Sequence, residues 1–169
     1  MQFPILSLIV FAPLVAAVLM LFMKAESKNE IRVAALATGI FDLILAAWVY
    51  YQVYIHPTIG YQFIEKYDWL PVLGISYHVG VDGISAPMVL LTGIVMVTGV
   101  LISWGVDDRP REFFAFLFLL AGGVFGVFIS LDLFMLFFFY EIAVFPMYLL
   151  IAIWGWKVTR EYAAMKLTL

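Results

Sequence analysis

Long apolar runs separated by polar segments form the main pattern of this sequence. Three runs have about the 20 residues that a helix needs to cross the roughly 30 Å hydrocarbon core of a bilayer. A fourth run, residues 113–154, is too long for one crossing and suits two, with a tight turn at residues 130–132. Because the runs lack the two-residue alternation of barrel strands, they predict helices. The predicted spans are residues 3–23, 33–55, 85–104, 113–129 and 131–154, followed by the start of a sixth.

The connector at residues 56–84 is longer than a simple link between two helices. Its second half, WLPVLGISYHVGVDGIS, alternates short β-prone pieces with Gly and Pro, and this pattern predicts a small β-hairpin. Asp82 and Ser85 each suit the N-cap of the third helix, and Asp132 suits the N-cap of the fifth. The predicted fold class is therefore all-α: a polytopic transmembrane helical bundle with a short hairpin-like loop, forming a single transmembrane domain.

The composition agrees with a membrane environment. The chain is 66% hydrophobic and 12% charged, whereas soluble domains average about 45–50% apolar and 25% charged residues. The net charge of −3, without a basic cluster, gives no sign of nucleic-acid binding. The absence of cysteine excludes disulfides, thiolate metal sites and iron–sulfur ligation on this chain. The first run lacks the charged start and cleavage site of a secretory signal, so we expect a retained span.

The basic residues predict an orientation in the bilayer. Eight of the nine lie in the first, third and fifth connectors: Lys24, Lys28, Arg32, Arg109, Arg111, Lys157, Arg160 and Lys166. Short loops rich in Lys and Arg stay on the cytoplasmic side. We therefore expect a multi-pass protein of the cytoplasmic membrane, or of an organelle's inner membrane, with the amino terminus and the hairpin outside.

Glu141 lies near the middle of the fifth predicted span. An ionisable group at the bilayer centre costs about 2.5–3.5 kcal/mol on insertion scales, so a functional role is the first interpretation. Desolvation disfavours its charged form and a nearby lysine would favour it, so the carboxyl suits a proton relay. Pro146 predicts a kink just beyond it, and Tyr148, on the same face, suits a hydrated proton path. The alternative is a protonated Glu141 that only hydrogen-bonds a neighbouring helix.

Two other features lie inside the predicted spans. Asp42, near the middle of the second span, is equally compatible with a functional site and with packing, because nothing around it repeats the proline–tyrosine context of Glu141. Gly122, Gly123 and Gly126 in the fourth span predict the close approach of a neighbouring helix.

Three segments carry a resemblance to a known family. They are FYEIAVFPMYLLIAIWGW around Glu141, the WLP…GVDGIS loop at residues 69–85, and AAMK at residues 163–166. Together they resemble the antiporter-like proton-pumping membrane subunits of respiratory complex I, specifically subunit M, the counterpart of mitochondrial chain 4. The proline after the glutamate favours this subunit over its sister pumping subunits.

The resemblance implies a proton-translocating subunit of an NADH:quinone oxidoreductase, in contact with the lipid bilayer and with sister antiporter-like subunits. NADH or another donor, FMN, iron–sulfur clusters and quinone would belong to partner subunits, and no cofactor to this chain. Glu141 would pair with a lysine of a seventh helix. Lys166 is a candidate substitute, although it lies near the cytoplasmic end. Because such subunits have about fourteen spans, we expect the 169 residues to be an amino-terminal part.

Two other functions remain open at this point. The first is that of a cation/proton antiporter or a membrane-hydrogenase subunit, because the helix around Glu141 also resembles those related proteins. A non-transporting membrane scaffold, with Glu141 as a packing acid, is the second.

Overall fold

The computed structural model describes residues 4–24 and 26–168. Its helices are α1 (Ile5–Phe22), α2 (Lys28–Ile55), α3 (Ser85–Ile102), α4 (Pro110–Ile129), α5 (Leu133–Trp154) and α6 (Arg160–Thr168). The strands β1 (Gln62–Leu70) and β2 (Ile75–Val81) lie between α2 and α3, and single 3-10 turns occupy Pro71–Leu73 and Ser103–Gly105. Within the described residues, the first five helices are long and apolar enough to cross a membrane. The predicted all-α bundle and its hairpin are confirmed.

The first and third connectors are shorter than predicted, because two helices begin in polar sequence. α2 begins at Lys28 rather than at residue 33, and α4 begins at Pro110 rather than at residue 113. Lys28 and Arg32 extend from the first turns of α2 to the side chain of Asp107. Long basic side chains can place their charge in water while their backbone is helical. The apolar runs therefore indicate the part of each helix that suits the hydrocarbon core of a membrane, and they do not indicate where these two helices begin.

The central helix of the bundle is α4. It packs against α1 and α5, while α2 packs mainly against α3. Three of its phenylalanines, Phe114, Phe118 and Phe125, are fully buried. On its side toward α1, a Cβ added to Gly122 would lie 2.6 Å from Leu14 Cδ2. The helices thus meet in a shared core built around the aromatic and glycine residues of α4.

The glycines of α4 bring it into backbone contact with α5, as predicted. A Cβ added to Gly123 would lie 2.7 Å from the backbone nitrogen of Ala143, which is closer than real Cβ atoms come to other atoms. A Cβ on Gly126 would overlap the ring of Phe139. These contacts fix which side of α5 faces the bundle.

The predicted hairpin is an antiparallel pair in which Tyr67 lies opposite Tyr77. Its β1 strand contacts the start of α1 through Glu65, whose carboxylate accepts the backbone N–H groups of Leu6 at 2.9 Å and Ser7 at 3.2 Å. The Ser7 hydroxyl donates to the same carboxylate and lies 3.0 Å from the Tyr77 hydroxyl. Since the first N–H groups of a helix lack partners within it, Glu65 caps α1 from a distant segment.

Strand β2 is joined to the turn between α4 and α5, which lies at residues 130–132 as predicted. The N–H of Leu131 donates to the carbonyl of His78 at 2.8 Å, and the N–H of Ser76 donates to the Asp132 carboxylate at 3.2 Å. Asp132 also accepts the N–H groups of Phe134 and Met135, which confirms it as the N-cap of α5. Burial by itself would raise the pKa of Asp132. The hydrogen bonds stabilise the charged carboxylate, and together they hold the pKa below its usual value.

At the start of α3, Asp82 and Ser85 share the capping that the sequence predicts. The Asp82 carboxylate accepts the N–H of Ile84 at 2.9 Å and that of Ser85 at 2.7 Å. In return, the N–H of Asp82 donates to the Ser85 hydroxyl at 2.9 Å. The hydrogen bond from Ser85 is the main reason why the pKa of Asp82 is lowered.

The three connectors rich in basic residues meet at the opposite end of the bundle from the hairpin. Lys28 and Arg32 bind the Asp107 carboxylate at 3.2 and 3.0 Å. The guanidinium of Arg109 lies 5.6 Å from the centre of the Trp154 ring, and the Trp154 indole N–H donates to the carbonyl of Asp108 at 2.8 Å. The distribution of charge used to predict orientation is therefore a real asymmetry between the two ends.

Candidate functional site

Two carboxyl groups lie in the middle of the apolar helices. At a rise of 1.5 Å per residue, Asp42 is about 20 Å from either end of α2. Glu141 is about 12 Å from the start of α5 and about 20 Å from its end. Both are therefore far from either membrane surface if the helices cross a bilayer.

Glu141 lies on the side of α5 that faces away from the rest of the bundle. The opposite side of α5 buries Met135, Phe139, Ala143 and Pro146, of which Phe139 and Ala143 meet the glycines of α4. Successive residues turn by about 100° around a helix, so Glu141 is roughly opposite this contact. Its side chain is exposed. The described residues do not cover Glu141, so its burial stays a prediction about what surrounds this side of α5.

The neighbours of Glu141 on this open side are apolar. Phe138, one turn before it, and Phe145, one turn after it, are both exposed. Tyr148, two turns beyond it, is half-buried and lies along the same side of α5. In residues 4–24 and 26–168, Glu141 forms no salt bridge. The carboxyl is thus the one charged group on an apolar stripe of α5.

The other predicted site residues are not brought to Glu141. Pro146 lies inside the continuous helix α5 and is buried on its other side. Lys166, near the end of α6, is exposed, and its ammonium lies 5.8 Å from the centre of the Tyr162 ring. Counting from the α5–α6 connector, Lys166 is about 9 Å into α6, whereas Glu141 is about 20 Å into α5. The described structure therefore does not support Lys166 as the partner of Glu141.

Asp42 has the opposite environment. Its side chain is 0% exposed, and neither carboxyl oxygen has a hydrogen-bond partner among the described residues. It lies on the side of α2 that packs closely on α3: a Cβ added to Gly93 would be 3.2 Å from the Cα of Leu43, and one added to Gly39 would be 3.4 Å from Val97 Cγ2. The interior of the bundle therefore encloses this acid at a point where two helices are in contact.

The helix contacts show that the two acids lie at similar depth. Neighbouring helices are antiparallel, and their close contacts pair Leu43 with Gly93, Leu117 with Gly99, and Ala143 with Gly123. Counting along the helices from these pairs puts Asp42 and Glu141 within about one helical turn, or 5.4 Å, of the same level. Because α4 and α5 lie between them, they do not form one cluster.

One important carboxylate was missed by sequence reasoning. Glu65 caps α1, and its position in a polar hairpin strand gave no sign of this contact. In the part of the chain that is described, no group of three His, Asp or Glu side chains is arranged to hold a metal ion. The candidate residues described above, Asp42 and Glu141, are single carboxyl groups, which can bind and release protons.

No protein-family model matches the chain, but curated proteins are similar over almost all of it. The NAD(P)H-quinone oxidoreductase chain 4 2 of Trichodesmium erythraeum is 42% identical over 168 residues, which are 99% of this chain and 30% of that protein. The NAD(P)H-quinone oxidoreductase chain 4-2 of Synechocystis sp. is 38% identical over 168 residues, with the same coverage. The chain is homologous to the chain 4 subunits of NAD(P)H-quinone oxidoreductases. This confirms the resemblance to complex I subunits that the sequence suggested.

Solved structures share the fold of this chain. One comes from respiratory complex I of Thermus thermophilus with bound NADH, with a TM-score of 0.76 and 23% identity over 94% of this chain and 31% of that one. Another comes from the membrane-bound sulfane sulfur reductase, an archaeal respiratory membrane complex, with a TM-score of 0.79 and 24% identity over 98% of this chain and 34% of that one. The chain is a multi-pass membrane protein that spans about 30% of the length of its curated relatives.

Proposed function

We propose that this chain is part of a proton-translocating membrane subunit of an NAD(P)H-quinone oxidoreductase, and that Glu141 is the group that gains and loses the proton. The similarity to chain 4 subunits supports the choice of complex. The observation that carries the proton role is the position of Glu141, in the middle of α5 and on its side away from α4.

The physical argument concerns what must cover Glu141. A carboxyl in contact with lipid tails at this depth costs several kcal/mol, so the side of α5 that bears Glu141 is expected to meet protein or water. The curated relatives are more than three times as long as this chain, so protein outside it is available for this contact. The family resemblance implies a lysine in this covering protein. A charged lysine would favour the ionised form of Glu141, and removal of the lysine's charge would favour the protonated form. Alternation between these states moves a proton.

Variants of Glu141 in the full-length subunit, assembled in its complex, test this role. Glu141→Gln keeps the size and polarity of the side chain but cannot ionise, so quinone reduction should continue with proton pumping suppressed. Glu141→Asp keeps the carboxyl and should retain part of the pumping. Tyr140→Phe, which changes the adjacent exposed residue without removing a carboxyl, is the control. Normal pumping by an assembled Glu141→Gln complex would leave Glu141 with a packing role only.

We further propose that the amino terminus and the hairpin face away from the cytoplasm. The basic connectors form one end of the bundle and the hairpin lies at the other, which suits the preference of Lys and Arg for the cytoplasmic side. Single cysteines introduced in residues 24–32 and 105–112 should react with an impermeant reagent only from the cytoplasmic side. Cysteines at His56 or Asp68 should react only from the other side, and the reverse pattern would contradict the orientation.

The proposed partners are the other membrane subunits of the complex, including sister antiporter-like subunits. NAD(P)H, FMN, iron–sulfur clusters and quinone would be bound by subunits other than this one. Because the fold is also found in a sulfane sulfur reductase, the fold alone does not choose between respiratory complexes. Co-purification of the full-length subunit with flavin-containing and iron–sulfur subunits that oxidise NAD(P)H would support the proposal. Co-purification with cation-antiporter or hydrogenase subunits would contradict it.

A further inference from the structure

The carboxyl of Asp42 is not used by the proton path proposed for Glu141, and its surroundings are unusual. It is fully buried, and the helix that bears it, α2, packs against α1, α3 and α4. Neither of its oxygens is hydrogen-bonded within residues 4–24 and 26–168. Buried polar groups are nearly always hydrogen-bonded, and buried charges are paired. The state of this acid therefore requires an explanation.

Among the described residues, no cation lies at the depth of Asp42 to balance an ionised carboxylate. Helices α1 and α3 contain no Asp, Glu, Lys, Arg, His or Tyr. The charged residues of α4 are Arg111 and Glu112, which bind each other in its first turn. On α2 itself, Arg32 is ten residues away, or about 15 Å along the helix, and its guanidinium binds Asp107. An ionised Asp42 would be an isolated charge in a medium of low dielectric constant.

The carboxyl of Asp42 is also closed off from the solvent that an ionised carboxylate needs, since the residue is 0% exposed. The backbones of α2 and α3 are in contact beside it, since a Cβ on Gly93 would lie 3.3 Å from Leu43 Cδ1 and 3.5 Å from the Cβ of Ala46. Hydration of an ionised Asp42 would therefore require the surrounding helices to move. A neutral acid needs less solvation than a carboxylate, so the closed contact suits the protonated form.

We propose that Asp42 is a second proton-binding site, enclosed between helices α1 to α4, and that loss of its proton separates α2 from α3. The ligand is a proton rather than a metal ion, because a single carboxyl provides too few oxygens for a cation and no metal-type cluster occurs among the described residues. The site does not depend on the role of Glu141, since the two acids are on different helices and α4 and α5 lie between them.

Infrared spectroscopy of the full-length subunit, in its complex and with isotope-labelled aspartate, tests whether Asp42 holds a proton. The wild type should show the carbonyl band of a protonated aspartic acid, shifted by the label. Asp42→Asn should lose this band, whereas Asp108→Asn, which changes an exposed aspartate, and Glu141→Gln should keep it. A wild-type spectrum without a band that depends on Asp42 would overturn the proposal.

Hydrogen exchange tests the link between the proton and the helix contact. In the wild type, amide exchange at the Gly93–Leu43 contact should increase from neutral to alkaline pH. The increase is measured relative to the amides at the Gly123–Ala143 contact of α4 and α5, which serve as the reference. Asp42→Asn and Asp42→Leu, which cannot ionise, should abolish this increase. The same increase in all three proteins would overturn the link. Asn resembles a neutral Asp in shape, so failure of both variants to assemble would show that the site requires a charge and would overturn the proposal as a whole.

Discussion

Asp42 and Glu141 have the same functional group and similar depth, but they lie in opposite surroundings. Asp42 is enclosed by four helices without a hydrogen-bond partner in the described chain, while Glu141 is exposed on the side of α5 away from α4. An enclosed acid exchanges its proton only when helices separate, whereas an acid on an open side responds directly to whatever covers it. Depth in a membrane therefore does not by itself decide what a carboxyl group does.

The largest expected effect separates the two acids by function. In the full-length complex, Glu141→Gln should reduce proton pumping by about 100-fold, the size of effect typical of losing a proton-transfer group. Asp42→Asn should retain most of the pumping, because Asn replaces a neutral acid of the same shape. Proton uptake into inverted membrane vesicles, normalised to quinone reduction, measures both. Equal losses would show that both acids belong to one proton path despite their different surroundings.

The position of Glu141 depends on the contact between α4 and α5. Gly123→Ala would place a Cβ 2.7 Å from the backbone nitrogen of Ala143, so it should destabilise the subunit by about 1–3 kcal/mol through overpacking. Gly83→Ala is the matched control, because nothing lies within 4 Å of the added atom there. Thermal unfolding of the purified complex gives the difference. A Gly123→Ala protein as stable as the Gly83→Ala control would show that the two helices are not in backbone contact.

The start of α5 gives a smaller effect that depends on pH. Asp132→Ala removes the cap of α5 and the bond to Ser76, and should cost about 1 kcal/mol. Because the pKa of Asp132 is lowered in the folded protein, its contribution is complete above the unfolded pKa of about 3.9 and is lost as the pH falls through the folded value.

Thermal unfolding of the Asp132→Ala complex at neutral pH and at progressively lower pH checks this prediction. The difference from the wild type should shrink in acid. Asp68→Ala, a change in an exposed aspartate of β1, should show no such difference. A constant difference at every pH would mean that the carboxylate form of Asp132 is not what stabilises the cap.

The smallest effect is expected at the opposite end of the bundle, near the start of the helix that bears Asp42. The side-chain hydrogen bond from Lys28, together with Arg32, lowers the pKa of Asp107, but Asp107 is fully solvated and water and salt screen its ion pairs. Asp107→Asn should cause a slight loss of thermal stability that disappears at high salt. Asp108→Asn should cause none, because only the backbone carbonyl of Asp108 is bonded to Trp154. A loss that is large and independent of salt would contradict this account.

The sequence was sufficient to predict the five long helices, the hairpin, the caps at Asp82 and Asp132, and the contact at Gly123. These features depend on local patterns: length of apolar runs, turn residues, and capping side chains a few positions from the groups they bind. The surroundings of Asp42 and Glu141 were less predictable. Because α5 is apolar on almost every side, its sequence does not indicate whether Phe138 or Phe139 faces α4, and the exposure of Glu141 follows from that choice.

Contacts between segments that are distant in the sequence explain the other features that the sequence did not predict. Glu65 binds residues that lie 58 and 59 positions earlier in the chain, a separation at which neither periodicity nor capping rules operate. The early start of α2 has a similar cause, since Lys28 and Arg32 find their partner Asp107 in another connector. Such features become visible only when the packing of the helices is known.

The bond between Glu65 and the start of α1 also bears on how the protein enters the membrane during synthesis. The first helix emerges first, yet the N–H groups of Leu6 and Ser7 meet their acceptor only when β1 has been made. The two segments can meet only on the same side of the bilayer, which requires both α1 and α2 to have crossed it in alternate directions. A chain in which α2 failed to insert would leave Glu65 on the wrong side. The cap of α1 can therefore form only in a chain whose first two helices have both crossed the membrane, and only after the hairpin has been made.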